Sequence, residues 1–271
     1  MKRKLCYAML LLLSICLFCA CRRTPLPLPL MQVKKITAYE PGTGQVRYVR
    51  EYSYNIAGKT ATLVQTDFNA QPRAFQFYYS VANKRLDSVQ VKSTATSPVW
   101  YSYDTVGRLV SFFGPDFLPF FGVMVRYNIP YHPAGGGEVA QLIARADGVK
   151  HIRQTSYFIN NIDDAFKIIR GNYYMTTDEN IYQFSYTDID NPERAVFRTS
   201  LIADYPTIGT ALVQEPELIS AHLPATSTWQ HNTGPFEPAV TYAYDRDHYG
   251  RVVRAYIVKD GSRLLIKEYV Y

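Results

Sequence analysis

The sequence predicts an all-β protein, an antiparallel meander of repeated hairpins forming a large curved sheet or barrel-like domain with a long irregular loop region. Three observations lead there. Short runs rich in Tyr, Phe, Val, Ile and Thr recur along most of the chain, separated by clusters of Gly, Pro, Asn and Asp that favour turns. A unit of the form aromatic-x-aromatic, then Asp, Asn or Ser, then a turn ending in Gly or Asn and a basic residue, returns at intervals. No segment carries a convincing helical period of apolar residues.

The first residues stand apart from this pattern. Lys2, Arg3 and Lys4 precede an apolar run from Leu5 to Phe18, as in a secretory signal segment. The run is shorter than the ~20 residues that span a hydrocarbon core. Leu17-Phe18-Cys19-Ala20-Cys21 resembles a lipoprotein box, with small Ala20 ahead of the acceptor and Phe18 where such boxes usually hold Leu. Residues 1–20 therefore read as a lipoprotein signal peptide and Cys21 as the lipidation site. All four cysteines lie at or before Cys21, so the mature chain is expected to lack a disulfide framework or thiolate metal site. Residues 21–31 read as the lipidated cysteine and a stiff tether, because Pro25, Pro27 and Pro29 hold the chain extended at ~3.1 Å per residue. Losing Lys2, Arg3 and Lys4 with the signal lowers the formal charge from +6 to about +3. That mild excess, without a basic block, gives no support for nucleic-acid binding.

Residues 32–271 read as a single all-β domain. The repeat appears as Tyr52-Ser53-Tyr54-Asn55-Ile56-Ala57-Gly58-Lys59 and again as Phe77-Tyr78-Tyr79-Ser80-Val81-Ala82-Asn83-Lys84. It returns as Tyr101-Ser102-Tyr103-Asp104-Thr105-Val106-Gly107-Arg108 and, with a turn two residues longer, as Tyr242-Ala243-Tyr244-Asp245 running to Gly250-Arg251. Phe184-Ser185-Tyr186-Thr187-Asp188, leading to Asn191-Pro192, is a degenerate relative. Aromatics two apart share one face of a strand. Asp or Asn at the strand end bonds backbone two residues on, and Gly or Asn supplies the positive φ that closes the loop. Further strands are predicted at Gln32–Tyr39, Val46–Tyr54, Gly122–Tyr127, Glu138–Arg145, His151–Phe158, Phe166–Arg170, Ile181–Tyr186 and Arg263–Tyr271. Between Asn191 and Pro238 the rhythm is lost and prolines accumulate, so 191–238 reads as an irregular excursion in the same domain.

The lipobox ending at Cys21, the early Val33-Lys34-Lys35-Ile36-Thr37 strand, the Tyr-x-Tyr-Asp-x-x-Gly-Arg hairpins and the closing Tyr242-Ala243-Tyr244-Asp245 hairpin together carry a resemblance. The chain resembles uncharacterised Bacteroidota lipoproteins whose domain of unknown function has a porin-like fold. That resemblance implies an envelope lipoprotein with a large antiparallel sheet and no assigned activity. The hairpin unit is also similar to the tyrosine–aspartate repeats of Rhs-type shells, which carry many more regular copies.

Catalytic motifs are not evident. None of the five histidines pairs at metal-ligand spacing, and no Gly-x-Ser-x-Gly elbow or phosphate-binding glycine loop occurs. Each paired carboxylate falls in an expected turn, where Asp serves the backbone. The expectation is a non-enzymatic protein without metal or cofactor, lipid-anchored in the cell envelope, most simply at the outer membrane, and working by binding or scaffolding. An integral outer-membrane barrel is the alternative, disfavoured by charges on both faces of early and late strands. A second alternative is a lipoprotein that binds a glycan or small ligand on an aromatic face. Tyr48, Arg50, Tyr52 and Tyr54 share one strand face, and Phe117, Phe120 and Phe121 lie in a Phe-rich loop; these seven are the candidate ligand-binding residues, weighed against plain cross-strand packing.

Overall fold

A computed structural model describes residues 32–81, 85–91, 99–103, 105, 109–115, 124–128, 137–145, 148–160, 165–172, 178–194 and 220–271. The chain divides into two compact units, Met1–Met31 and Gln32–Tyr271. Cys21 and the Pro-rich segment belong to the first and lie outside the described residues, as do Phe117, Phe120, Phe121 and 195–219.

The second unit is all β. Among the described residues it holds sixteen strands: β1 (Lys35–Tyr39), β2 (Val46–Tyr54), β3 (Thr60–Asp67), β4 (Arg73–Tyr79), β5 (Leu86–Val91), β6 (Val99–Tyr103), β7 (Leu109–Pro115) and β8 (Met124–Asn128). These are followed by β9 (Gly137–Arg145), β10 (Gly148–Ile159), β11 (Ala165–Asn172), β12 (Asp178–Asp190), β13 (His222–His231), β14 (Val240–Arg246), β15 (Val252–Lys259) and β16 (Ser262–Val270). Each strand pairs antiparallel with its neighbour in sequence, and β1 also pairs with β16, which closes the meander into a barrel. The seam is in register from Lys35 opposite Val270 to Ala38 opposite Lys267, extended by the Lys34 N–H bonding the Val270 carbonyl at 2.7 Å.

Register assigns the two faces. Ile36 stands opposite both Arg50 and Tyr269, and Ala38 opposite both Tyr48 and Lys267. All six are buried, so this face points inward. With Val33, Tyr52, Leu63, Phe75, Phe77, Leu86, Val89, Leu223, Val252 and Ala255 it forms one apolar core. The alternate positions on β14, β15, β16, β1 and β2 include Asp245, Arg254, Glu268, Lys35 and Glu51, and face outward. A period-two sequence on a one-side-buried sheet requires this segregation.

The described repeat turns each join an even-numbered strand to the next and so lie at one end of the barrel, called here the repeat end. Its geometry follows from the side chains. The Asn55 carboxamide oxygen accepts from the Ala57 and Lys59 N–H groups, both at 3.0 Å. Asp247 does the same for Tyr249 and Arg251 at 2.9 Å. Gly58 and Gly250 then turn the chain with φ of 73° and 82°. The two turns are the same length, because the Asn55 N–H reaches the Lys59 carbonyl as the Asp247 N–H reaches that of Arg251. The two extra residues expected in the turn of the fourth copy therefore lengthen strand β14, and Asp245 belongs to the sheet.

The excursion expected over 191–238 needs a similar correction. His222–His231 within it is a strand, paired with β12 from Asn180–His231 to Asp190–His222. Pro224 sits within this strand where the pairing shifts register at Tyr186, the kind of irregularity at which a sheet admits proline. Asn191 repeats the Asn55 turn: its side-chain oxygen accepts the Glu193 N–H at 2.8 Å, its carbonyl that of Arg194 at 3.3 Å, and its N–H bonds Ala221. One repeat turn thus begins at Asn191, which is bonded to Ser220 and Ala221 on the far side of the longer connection to β13.

Candidate functional site

The inner wall carries a band of polar side chains at mid-height, laid out by register across adjacent strands. One row runs Tyr269, Ile36, Arg50, Gln65, Arg73, and the next runs Ala255, Lys267, Ala38, Tyr48, Asp67. Arg50 is 0 % exposed. Its guanidinium lies 4.1 Å above the Tyr48 ring and donates to the Gln65 carboxamide oxygen at 3.2 Å and to the Tyr48 hydroxyl at 3.4 Å. The Gln65 amide donates in turn to Asp67 at 2.7 Å, and Asp67 is also held by Arg73 at 2.5 Å. A buried cation is tolerable here because planar partners meet its donors and a ring takes its face.

The second element of the site comes from the repeat turn at Asn191. Pro192 and the Asn191 side chain direct Glu193 into the interior, with Asn191 also donating to the Ser220 carbonyl at 2.8 Å. One Glu193 carboxylate oxygen, Oε1, accepts from Lys267 Nζ at 2.9 Å and from the Tyr269 hydroxyl at 2.8 Å. Both charges are buried, the carboxylate fully. The other oxygen, Oε2, has no hydrogen-bond partner among the described residues. Such a pair gains most of its Coulomb energy at the expense of desolvation, so its net contribution is small while the loss from removing one partner is large.

A set of tyrosines, called here the tyrosine ring, lines the described part of the repeat end. Tyr54, Tyr79, Tyr103, Tyr244 and Tyr271 donate their hydroxyls to the carbonyls of Val33, Thr60, Leu86, Pro224 and Val252, at 2.5–3.1 Å. Each bond ties the end of an even-numbered strand, within two residues, to the start of the strand preceding it, likewise within two residues. Lys59, Arg85 and Arg251, each immediately before one of those carbonyl residues, lie over the rings of Tyr79, Tyr103 and Tyr271 at 5.0, 5.6 and 4.5 Å. Burial pushes the Tyr54 phenol well above its ordinary value, with Tyr52, Tyr271 and Tyr79 adding to it. Burial raises Tyr271 similarly, against the opposing charge of Arg251.

Toward the opposite end the described inner-face side chains are more exposed. The Asp67 and Arg73 side chains are each 37 % exposed. Across the barrel wall on β12 and β13, Tyr182 and Trp229 form an inward-facing cross-strand pair, with near-parallel rings 6.4 Å apart. Trp229 is 40 % exposed. One step nearer the rim, His231 Nδ1 and the Asn180 side-chain oxygen lie 3.0 Å apart. Asn232 holds the other imidazole nitrogen at 3.2 Å and anchors its own side chain by accepting the Glu179 N–H at 2.7 Å.

Of the predicted ligand-binding residues, Tyr48, Arg50 and Tyr52 are buried in the inner wall, and Tyr54 belongs to the tyrosine ring. Tyr48 and Arg50 join the polar band, whereas Tyr52 packs in the apolar core. Phe117, Phe120 and Phe121 lie outside the described residues. Sequence reasoning missed Glu193, Lys267, Tyr269 and Trp229 as site residues. The signal for the tyrosine ring was present: a basic residue stands 18 to 20 positions before a tyrosine at Lys59–Tyr79, Arg85–Tyr103 and Arg251–Tyr271. Among the described residues no group of His, Cys, Asp and Glu is placed to hold a metal ion, and no helix is long and apolar enough to cross a membrane.

No family model matches the chain, and no curated protein matches it. Among solved structures the chain is similar to a porin-like protein from Bacteroides vulgatus ATCC 8482, at 12 % identity and a TM-score of 0.56, over 89 % of this chain and 98 % of that one. It is also similar to a porin-like protein from Bacteroides uniformis ATCC 8492, at 14 % identity and a TM-score of 0.55, over 88 % and 97 %. The likeness extends across nearly the whole of both proteins and shows a porin-like fold.

Proposed function

We propose that this porin-like barrel is the display domain of a lipid-anchored cell-envelope protein, tethered through Cys21 and acting by binding or scaffolding rather than by catalysis. The observation that carries the reading is the polarity of the barrel wall. Its apolar side faces inward, and its outer side on β14, β15, β16, β1 and β2 is laced with charge. Lys35 pairs with Glu51 at 3.6 Å, Tyr39 and Arg254 both hold Glu268, and Tyr256 and Arg263 both hold Asp245. A membrane-spanning barrel needs an outward apolar band about 25 Å tall. On β16 the span from Glu268 to Arg263 is at most about 17 Å at the rise of an extended strand. Water on the outside fits this wall, and the membrane attachment then rests on lipid at Cys21. Its partners in this reading are the membrane, through that lipid, and a glycan, small ligand or envelope protein at the end opposite the repeat turns; the mild net charge argues against nucleic acid.

The test is detergent partitioning together with lipid labelling in a bacterial host. The native chain should take up an alkyne-palmitate label and enter the detergent phase, and globomycin should cause a longer precursor to accumulate. Cys21→Ala should lose the label and move to the aqueous phase. A Cys21→Ala protein that stays in the membrane as a detergent-requiring barrel would overturn the anchored reading in favour of an integral one.

A further inference from the structure

We infer that the inner face of the barrel away from the repeat end binds carbohydrate, with a sugar ring laid against the Tyr182–Trp229 pair and its hydroxyls met by the Asn180 amide, which His231 holds in place. The inference rests on the binding role proposed above and names its ligand class.

Four observations converge on it. Trp229 faces inward yet remains 40 % exposed, whereas Ile168, two strands away in the same cross-strand row, is fully buried. A large aromatic left wet on the inner side of a barrel is a surface without its partner. Second, the rings of Tyr182 and Trp229 are near-parallel, 23° apart, on adjacent strands. The stack steadies the exposed indole as a flat apolar surface suited to the C–H face of a pyranose. Third, the polar group beside the pair is the Asn180 amide, whose N–H groups donate and whose oxygen accepts, as sugar hydroxyls do. Fourth, this group is already fixed. His231 holds Asn180, Asn232 holds the far side of the imidazole, and the Glu179 N–H holds Asn232. The backbone of Trp229 is held as well, its carbonyl accepting the Glu237 N–H at 2.8 Å. Side chains set in place before the ligand arrives lose little entropy on binding. An aliphatic ligand would instead leave the Asn180 amide N–H groups facing it without partners.

The chain has two tryptophans. Trp100 is on the outer face of β6, opposite Ser88 and on the same side as exposed Tyr78, so Trp100→Phe leaves Trp229 as the sole indole reporter. The detergent-solubilised full chain carrying Trp100→Phe is titrated with maltohexaose, cellohexaose, xylohexaose and mannohexaose. At least one should shift or quench the Trp229 emission saturably, with a dissociation constant of about 1 mM or tighter. In calorimetry of the otherwise native chain, Trp229→Ala should weaken that sugar by about tenfold or more. Trp229→Tyr, which keeps a ring in the pair, should retain most of the affinity and guards against simple misfolding. Binding unchanged in Trp229→Ala, or no saturable binding by any of the four sugars, would sink the assignment. Either result is independent of lipid attachment at Cys21, so failure here is separable from failure of the anchored reading.

Discussion

Removing Lys267 while Glu193 remains would strand a carboxylate in the barrel interior with only the Tyr269 hydroxyl for company. The expected loss for Lys267→Met is about 3–5 kcal/mol, read as a lower urea midpoint. The double variant Lys267→Met, Glu193→Leu should recover most of that loss, because it removes both desolvated charges and leaves apolar groups of similar size. A double variant no more stable than Lys267→Met alone would contradict the view that the pair costs nearly as much to bury as it returns. Neither residue was legible as a partner of the other in the sequence. They lie 74 positions apart, and only the barrel register, together with the turn that points Glu193 inward, brings them together. Arg50 was more legible. Its place between Tyr48 and Tyr52 put it on an aromatic strand face, but alternation alone does not say whether that face looks onto a ligand or into a core.

At the scale of the hairpin, the sequence motif and the structural unit are offset. The motif reads as a turn, and its Asn55 and Asp247 side chains behave as turn chemistry predicts. The stitched unit instead runs from a basic residue through one strand, around the opposite end and back to a tyrosine, as from Lys59 to Tyr79. Strand positions followed from two-residue periodicity, whereas the tyrosine hydroxyl bonds span about twenty residues and depend on register that local pattern does not carry. Tyr54→Phe, Tyr79→Phe and Tyr271→Phe should each cost about 1 kcal/mol, the typical worth of a hydrogen bond whose acceptor is left partly buried. Gly58→Ala should cost at least as much, since φ is 73° there and the added carbon would stand 3.0 Å from the Gln32 amide nitrogen. Alkali tests the ring as a group. Tyr54 and Tyr271 have folded pKa values raised above the ordinary phenol value of about 10. Their neutral forms therefore contribute stability that is complete below that pH and is lost as pH rises through the folded values. Absorbance near 295 nm should show these phenols ionising late and together with loss of β-sheet circular dichroism. Early, separate ionisation of both would contradict their burial.

Over the whole molecule, the outer charges set the response to acid. Hydrogen bonds from Tyr256 and then Arg263 hold the Asp245 carboxyl below its usual range, and Tyr39 and then Arg254 do so for Glu268. Tyr39 is itself pushed up to about 12, by burial first and then by Glu268. Carboxyls depressed in the fold contribute stability above the ordinary carboxylate range, and that contribution disappears as pH falls through the depressed values. Urea midpoints should therefore fall with pH only below about 4, and the fall should shrink in molar salt because these pairs face water. Asp245→Asn with Glu268→Gln should flatten the dependence; an unchanged profile would mean that other groups govern it. The all-β meander was readable from the order of hairpins, but closure was not, because nothing local in Lys35–Ala38 announces Lys267–Val270 as its partner. That seam has a consequence in time. Fifteen of the pairings join strands adjacent in sequence and can zip up locally, whereas the sixteenth must bring together segments more than 220 residues apart. Until it forms, β1 and β16 are both bare edges able to recruit strands from other chains. The slow, aggregation-exposed step of assembly is therefore the last one, and the same closure that makes it slow leaves the finished ring with no edge to offer.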